Sequence, residues 1–234
     1  MEGAAHADSS LLPMSSAFDP ELSARIESFG IIAVLVVDRA GDAIPLARAL
    51  WDGGVGVMEL TMRTPAALEA LKEIRTALPE MIAGVGTILT PDQVKAARDA
   101  GAAFGVAPGM NPRVLAAAAA EGLSFAPGIA TPSDIEAALE CDCRLLKFFP
   151  CEPSGGLSYL KNMSAPYAHL GLKYVPLGGI NEKNMAVYLG EPIIGALGGS
   201  WLAPRDLIRS GDWKAITAKA SAASEIIKSI RNKS

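Results

Sequence analysis

Leu145-Leu146-Lys147-Phe148-Phe149-Pro150 is a short apolar run with a lysine inside it. Such a run reads as a strand buried on both faces, the kind that builds parallel sheets covered by helices. Burial disfavours the charged form of an ammonium, so part of it stands as free amine, the nucleophile that condenses with a carbonyl to a Schiff base. A lysine at a strand end can equally snorkel to solvent or pair with a carboxylate, and on this run alone the two readings stand level.

Outward from this strand one unit recurs: a short strand, a turn, then a helix opened by a capping residue and a proline. Asp19-Pro20, Thr64-Pro65, Thr90-Pro91, Asn111-Pro112 and Thr131-Pro132 each offer a side-chain acceptor at the N-cap and a proline at the first helical position. Gly30, Gly101 and Gly122 stand where left-handed C-caps are expected. Strands are expected to begin near Ile31, Val57, Met81, Phe104, Ser124, Leu145, Lys173 and Ile194, at spacings of about 20 to 28 residues, one strand plus its crossover helix. Eight such units predict an α/β chain folded as a (β/α)8 barrel, preceded by an additional N-terminal helix from Pro20 to Phe29. A doubly wound open sheet would carry a phosphate fingerprint after its first strand, but Val37-Asp38-Arg39-Ala40-Gly41 carries none. Glycine-rich turns follow the seventh and eighth strands instead, at Leu177-Gly178-Gly179-Ile180 and Leu197-Gly198-Gly199-Ser200-Trp201. Barrel enzymes commonly hold phosphate at those two loops, although glycines also serve simply to let strand ends turn.

With 234 residues, half of them apolar, and a mean hydropathy of +0.28, the chain can bury a sizeable core. A net charge of -4 and a pI near 5.3 give no general attraction for nucleic acid or an anionic membrane. No apolar stretch is long enough to span a bilayer. Residues 1–17 lack the pattern of a signal peptide and read as a disordered extension, leaving 18–234 as a single barrel domain. Cys141, Cys143 and Cys151 are crowded and odd in number, and only His6 and His169 supply imidazole. This composition points to a reducing cytoplasm without a zinc site, while leaving open a hard cation on carboxylates.

In Val57-Met58-Glu59-Leu60-Thr61-Met62-Arg63, alternation places Val57, Glu59 and Thr61 on one face. Glu59 then points inward if Met58 and Leu60 meet the helices, and a buried carboxyl can shuttle protons. Arg63 can reach over the mouth to a substrate carboxylate, or it can pair with Glu59. By the same parity an inward Lys147 carries Phe149 with it as a wall for substrate.

Glu59-Leu-Thr-Met-Arg63-Thr64, Gly84-Val-Gly86-Thr87, Ala107-Pro108-Gly109, Lys147-Phe-Phe-Pro150, Ser154-Gly-Gly156, Gly178-Gly179 and Gly198-Gly-Ser-Trp201 occur in this order. The set resembles the class I 2-keto-3-deoxy-6-phosphogluconate and 4-hydroxy-2-oxoglutarate aldolases. The resemblance implies a homotrimeric, metal-independent and cofactor-free barrel that takes 2-keto acids and phosphorylated sugar acids. It implies Lys147 as the imine-forming residue and Glu59 as the proton carrier. Arg63 and Thr87 would hold the substrate carboxylate, Pro108 and Phe149 would shape the pyruvate pocket, and Gly178, Gly179, Gly199 and Ser200 would receive phosphate. The chain departs from the family at Leu177 and Ala107, where a hydroxyl residue is usual, and at Cys151, where alanine is usual. Each lost hydroxyl removes a hydrogen bond of about 0.5 to 1.5 kcal/mol near the substrate, and Cys151 reads as a small buried hydrophobe. A phosphate-binding barrel isomerase or synthase, and a non-catalytic barrel that binds a keto acid, remain as alternatives.

Overall fold

The structure, a computed structural model, describes residues 18–231, so the extension expected over 1–17 lies outside the described residues, as do 232–234. Its strands are β1 (Ile31–Leu35), β2 (Val57–Thr61), β3 (Ile82–Gly86), β4 (Gly105–Val106), β5 (Phe125–Ala126), β6 (Gly128–Ile129), β7 (Leu145–Phe148), β8 (Lys173–Pro176) and β9 (Leu197–Gly199). They pair in parallel in the orders β5-β4-β3-β2-β1-β9 and β6-β7-β8. Each crossover carries a helix, as parallel pairing requires, and the result is an α/β fold with a curled parallel sheet. The strand expected from Ser124 divides at Pro127, which cannot donate to a ladder; its carbonyl still accepts from the Lys147 N–H at 2.9 Å. Ile194 contributes a single parallel bridge to Tyr174 rather than opening the last strand.

Helix starts follow local chemistry. Helix α1 (Pro20–Phe29) is capped by Asp19, whose carboxylate accepts from the Glu21 and Leu22 N–H groups at 2.8 and 3.1 Å. Thr90 and Thr131 close capping boxes with Gln93 and Asp134 on α4 (Pro91–Asp99) and α6 (Pro132–Glu140), and Asn111 caps α5 (Pro112–Ala120). Thr64-Pro65 does not open a helix. Helix α2 (Ala43–Asp52) joins β1 to β2, and helix α3 runs Ala67–Ala77 without a side-chain cap, because the Thr64 hydroxyl donates to the Val37 carbonyl at 2.5 Å and so ties two strand ends together. Gly30, Gly101 and Gly122 are left-handed, at φ 72°, 86° and 63°.

Two apolar layers result. Met58, Leu60, Leu146 and Phe148 face the helices, while Ile32, Val57, Ile82, Phe104, Val106, Ala126, Leu145, Val175 and Leu177 fill the inside of the curl. Phe18 and Ile26 join the inner layer from α1 and its approach, with Phe18 against the Phe104 ring at 6.3 Å between centroids. Each large apolar side chain buried there contributes about 1.5–3 kcal/mol. This layer is the dry floor on which the polar groups of the inner face stand.

Candidate active site

Glu59 is the third residue of β2 and Lys147 the third of β7, and the parity that turns Val57 and Leu145 inward turns both of them inward. They meet across the curl, with Lys147 Nζ 3.4 Å from Glu59 Oε1 and side-chain exposures of 8% and 2%. Arg63 is exposed and makes no ion pair among the described residues, so it does not take up Glu59. Beneath the pair a cavity of about 20 Å³ is lined by apolar residues including Phe104, Val106, Ala126 and Val175. Breaking a charge pair this dry is costly, because removing one partner leaves the other buried without compensation. A larger cavity of about 230 Å³, lined by Lys161, Tyr167, Tyr174 and Ile193, does not touch the pair.

The other residues singled out from sequence gather at the same C-terminal strand ends. Phe149 follows β7, exposed at the mouth, with Lys147 Nζ 5.6 Å from its ring centroid. Thr87 follows β3 at φ 60°, a conformation costly for a β-branched residue and the sort of strain that concentrates at functional sites. Pro108 follows β4, and its carbonyl lies so close to Gly128, the register partner of Lys147, that a Cβ there would be 2.3 Å away. The Arg63 N–H donates to the Thr61 carbonyl at 2.7 Å and the Met62 N–H to Gly86 at 2.8 Å, holding the ends of β2 and β3 side by side.

The two glycine segments differ from each other. Gly178 and Gly179 form a true turn after β8, at φ 93° and 92°, with Gly178 against Phe149. A Cβ on Gly179 would come within 2.5 Å of the Glu152 side chain, so the glycine is needed for that packing as well as for its φ. Glu152 in turn accepts a hydrogen bond from the Tyr188 hydroxyl, and the Asn181 and Asn184 amides both donate to the Gly179 carbonyl at 3.0 Å. Gly198 and Gly199 are not a turn but the end of strand β9, where absent Cβ atoms admit the side chains of Leu177 and Trp201; Ser200 alone is exposed beyond them.

The three departures from the family pattern also find their places. Leu177 faces inward, lining the cavity under Lys147 and Glu59, so its side chain is directed away from the glycine turn. Ala107 packs into the helix-facing layer. A hydroxyl at that position would not have pointed to the inner face, so the hydrogen bond expected there does not apply. Cys151 is fully buried, its thiol 3.2 Å from the Tyr188 hydroxyl, and burial pushes the thiol up to about 11. It is an inert filler of the helix-side core. Gly86 belongs to a quoted motif but had no role from sequence: a Cβ there would be 1.7 Å from Glu59 Oε1, a relation visible only once the register of β2 on β3 is known.

Comparison with known proteins matches this arrangement. The family model for KDPG and KHG aldolases matches residues 22–219. The 2-dehydro-3-deoxy-phosphogluconate aldolase of Treponema pallidum (strain Nichols) is 41% identical over 202 residues, 86% of this chain and 95% of the relative. The KHG/KDPG aldolase of Escherichia coli (strain K12) is 37% identical over 195 residues, 83% of this chain and 91% of the relative. The crystal structure of KDPG aldolase from Legionella pneumophila, with pyruvate captured as a covalent carbinolamine intermediate, superposes with a TM-score of 0.81 at 35% identity, covering 86% of this chain and 97% of that one. With a buried lysine and carboxylate at the strand ends, and likeness running through nearly the whole described fold, the chain belongs to the KDPG and KHG aldolase family.

Proposed function

We infer that the chain is a class I aldolase that cleaves 2-keto-3-deoxy-6-phosphogluconate to pyruvate and glyceraldehyde 3-phosphate, and 4-hydroxy-2-oxoglutarate to pyruvate and glyoxylate. The observation that carries this reading is the buried Lys147–Glu59 pair at 3.4 Å. The Lys147 amine adds to C2 of the keto acid, and Glu59 relays protons through a water as the carbinolamine loses hydroxide as water to become a protonated imine. That imine accepts the electron pair of the C3–C4 bond as Glu59, through the water, takes the proton of the C4 hydroxyl and the aldehyde departs. Glu59 then returns a proton to C3 of the enamine, and water hydrolyses the imine to release pyruvate and the free lysine.

Arg63 and Thr87 are assigned to the substrate carboxylate, supported by their positions at adjoining strand ends beside Glu59. Pro108 and Phe149 wall the pyruvate pocket, supported by their packing around Lys147. Gly178, Gly179, Gly199 and Ser200 receive the phosphate. In the same reading the curled sheet is completed as a (β/α)8 barrel with α1 as its additional helix and residues 18–234 as one domain. The Pro127 hydrogen bond to Lys147, the Tyr174–Ile194 bridge and the 3.0 Å bond from Leu197 N–H to the Gly30 carbonyl support that closure. No helix among the described residues is long and apolar enough to cross a membrane; a homotrimer rests on the family resemblance, and a cytoplasmic location on the three crowded cysteines.

The test is a cleavage assay on both substrates. Chelators are expected to leave the rates unchanged, and a rate restored only by added divalent metal would assign metal-dependent aldol chemistry instead. Phosphorylated substrate is expected to exceed its unphosphorylated analogue in kcat/KM. Ser200→Ala should narrow that gap by about tenfold or more, since a hydrogen bond to a charged group contributes about 1.5–3 kcal/mol. Cleavage of 4-hydroxy-2-oxoglutarate by this variant should match wild type, and equal loss on both substrates would remove Ser200 from the phosphate site.

A further inference from the structure

We propose that Gly86 is a positioning residue for the proton-carrying carboxylate: the room left by its missing Cβ is the berth of the Glu59 carboxyl group. The proposal rests on the reading of Glu59 given above. In the parallel pairing of β2 with β3, Glu59 stands opposite Gly84 and Thr61 opposite Gly86, so Gly86 is the diagonal neighbour of Glu59 on the inner face, one step nearer the mouth. A Cβ built on Gly86 would lie 1.7 Å from Glu59 Oε1, 2.4 Å from Cδ and 2.7 Å from Cγ. These are its three nearest atoms and all belong to Glu59. Gly86 is not among the glycines of positive φ, so its backbone would accept an alanine; what a Cβ there meets first is the carboxylate.

Gly84 provides the contrast. It is the other inward glycine of β3, and a Cβ on it would come within 2.5 Å of the Phe104 ring, which makes it a packing glycine of the apolar floor. Gly86 spares room for a polar, movable group. An alanine there can be accommodated by swinging the end of the Glu59 side chain rather than by moving backbone. Glu59 is only 2% exposed and is walled by the inner apolar layer, so the swing must carry its carboxyl off the 3.4 Å contact with Lys147. A displacement of about 1 Å at a reacting group can cost roughly 10²-fold in rate.

The experiment compares wild type with Gly86→Ala, Glu59→Gln, Glu59→Asp and the double variant Gly86→Ala/Glu59→Asp. Two readouts are taken: borohydride trapping of the pyruvate imine on Lys147, and exchange of the pyruvate methyl hydrogens for deuterium in D2O followed by NMR. Exchange requires a base to move the C3 proton at every turnover; trapping after long incubation requires only that the imine reach equilibrium, however slowly it forms. Gly86→Ala is expected to remain trappable while exchange and kcat fall on the order of 10²-fold, with KM changed only a few-fold. Glu59→Asp withdraws the carboxyl by one methylene, so adding Gly86→Ala to it should cost little more. That non-additivity is the signature of a shared berth.

Wild-type exchange in Gly86→Ala alongside loss in Glu59→Gln would overturn the berth and leave the Glu59 reading standing. Wild-type exchange in Glu59→Gln would overturn both. Loss of trapping together with exchange in Gly86→Ala, or strictly additive losses in the double variant, would also overturn the proposal. Should Gly86→Ala fail to fold, Glu59→Ala/Gly86→Ala is compared with Glu59→Ala: with the carboxyl gone the alanine should leave Tm unchanged, and a fall would show that the Cβ meets something else.

Discussion

Lys147→Ala is expected to abolish aldol cleavage of both substrates, and Lys147→Arg to abolish it equally. Both lose the amine that must attack C2, and a guanidinium stays protonated and cannot form the imine. The pair of variants separates chemistry from stability. Lys147→Ala strands Glu59 as a buried carboxyl without its cation and is expected to lower Tm as well. Lys147→Arg keeps a positive charge beside Glu59, so any loss of turnover with a native-like Tm belongs to the missing nucleophile. In the wild-type protein, pyruvate followed by borohydride should inactivate the enzyme and add one reduced pyruvyl group, located on Lys147 by peptide mass mapping. An adduct on Lys72 or Lys161, or none at all, overturns the aldolase reading.

The second large effect is expected at Glu59. Glu59→Gln preserves the shape that occupies the Gly86 berth and keeps a hydrogen-bonding group near Lys147, so the fold and pyruvate binding should persist. Proton transfer should not: a general acid/base contributes ~10² to 10⁴-fold, and kcat should fall by that order with KM little changed. Steady-state kinetics on 4-hydroxy-2-oxoglutarate measures this without involving the phosphate loops. Activity near that of wild type would assign the proton relay to another group or to water alone.

Asp19, Thr90, Asn111 and Thr131 were legible as caps because each accepts from backbone N–H groups within three residues, an interaction that does not wait for the rest of the fold. Thr64 carried the same signal and failed. Its hydroxyl found a carbonyl 27 residues away, a competitor that local sequence does not reveal. The parity of β2 and β7 was legible for a different reason: a charged residue within an apolar strand marks one face, and alternation then carries that mark along the strand. In Leu177 no such mark exists. An apolar residue beside two glycines reads as part of the turn, and only the packing of its side chain over Gly198 shows that it belongs to the inner layer.

What the sequence by itself determined were the repeating strand and helix units, the helix starts that rest on local hydrogen bonds, and the residue types from which Schiff-base chemistry can be built. Family likeness too lies in the order of the motifs. That Glu59 meets Lys147 was decided only in three dimensions, for the two stand 88 residues apart, and by composition Arg63 was the readier partner for Glu59. The berth at Gly86, the inward turn of Leu177 and the packing of Gly179 on Glu152 were decided there as well. The physical reason is common to all of them: each depends on the register and facing of strands brought together from distant parts of the chain, and a glycine's missing Cβ has meaning only when the atom that occupies its place is known.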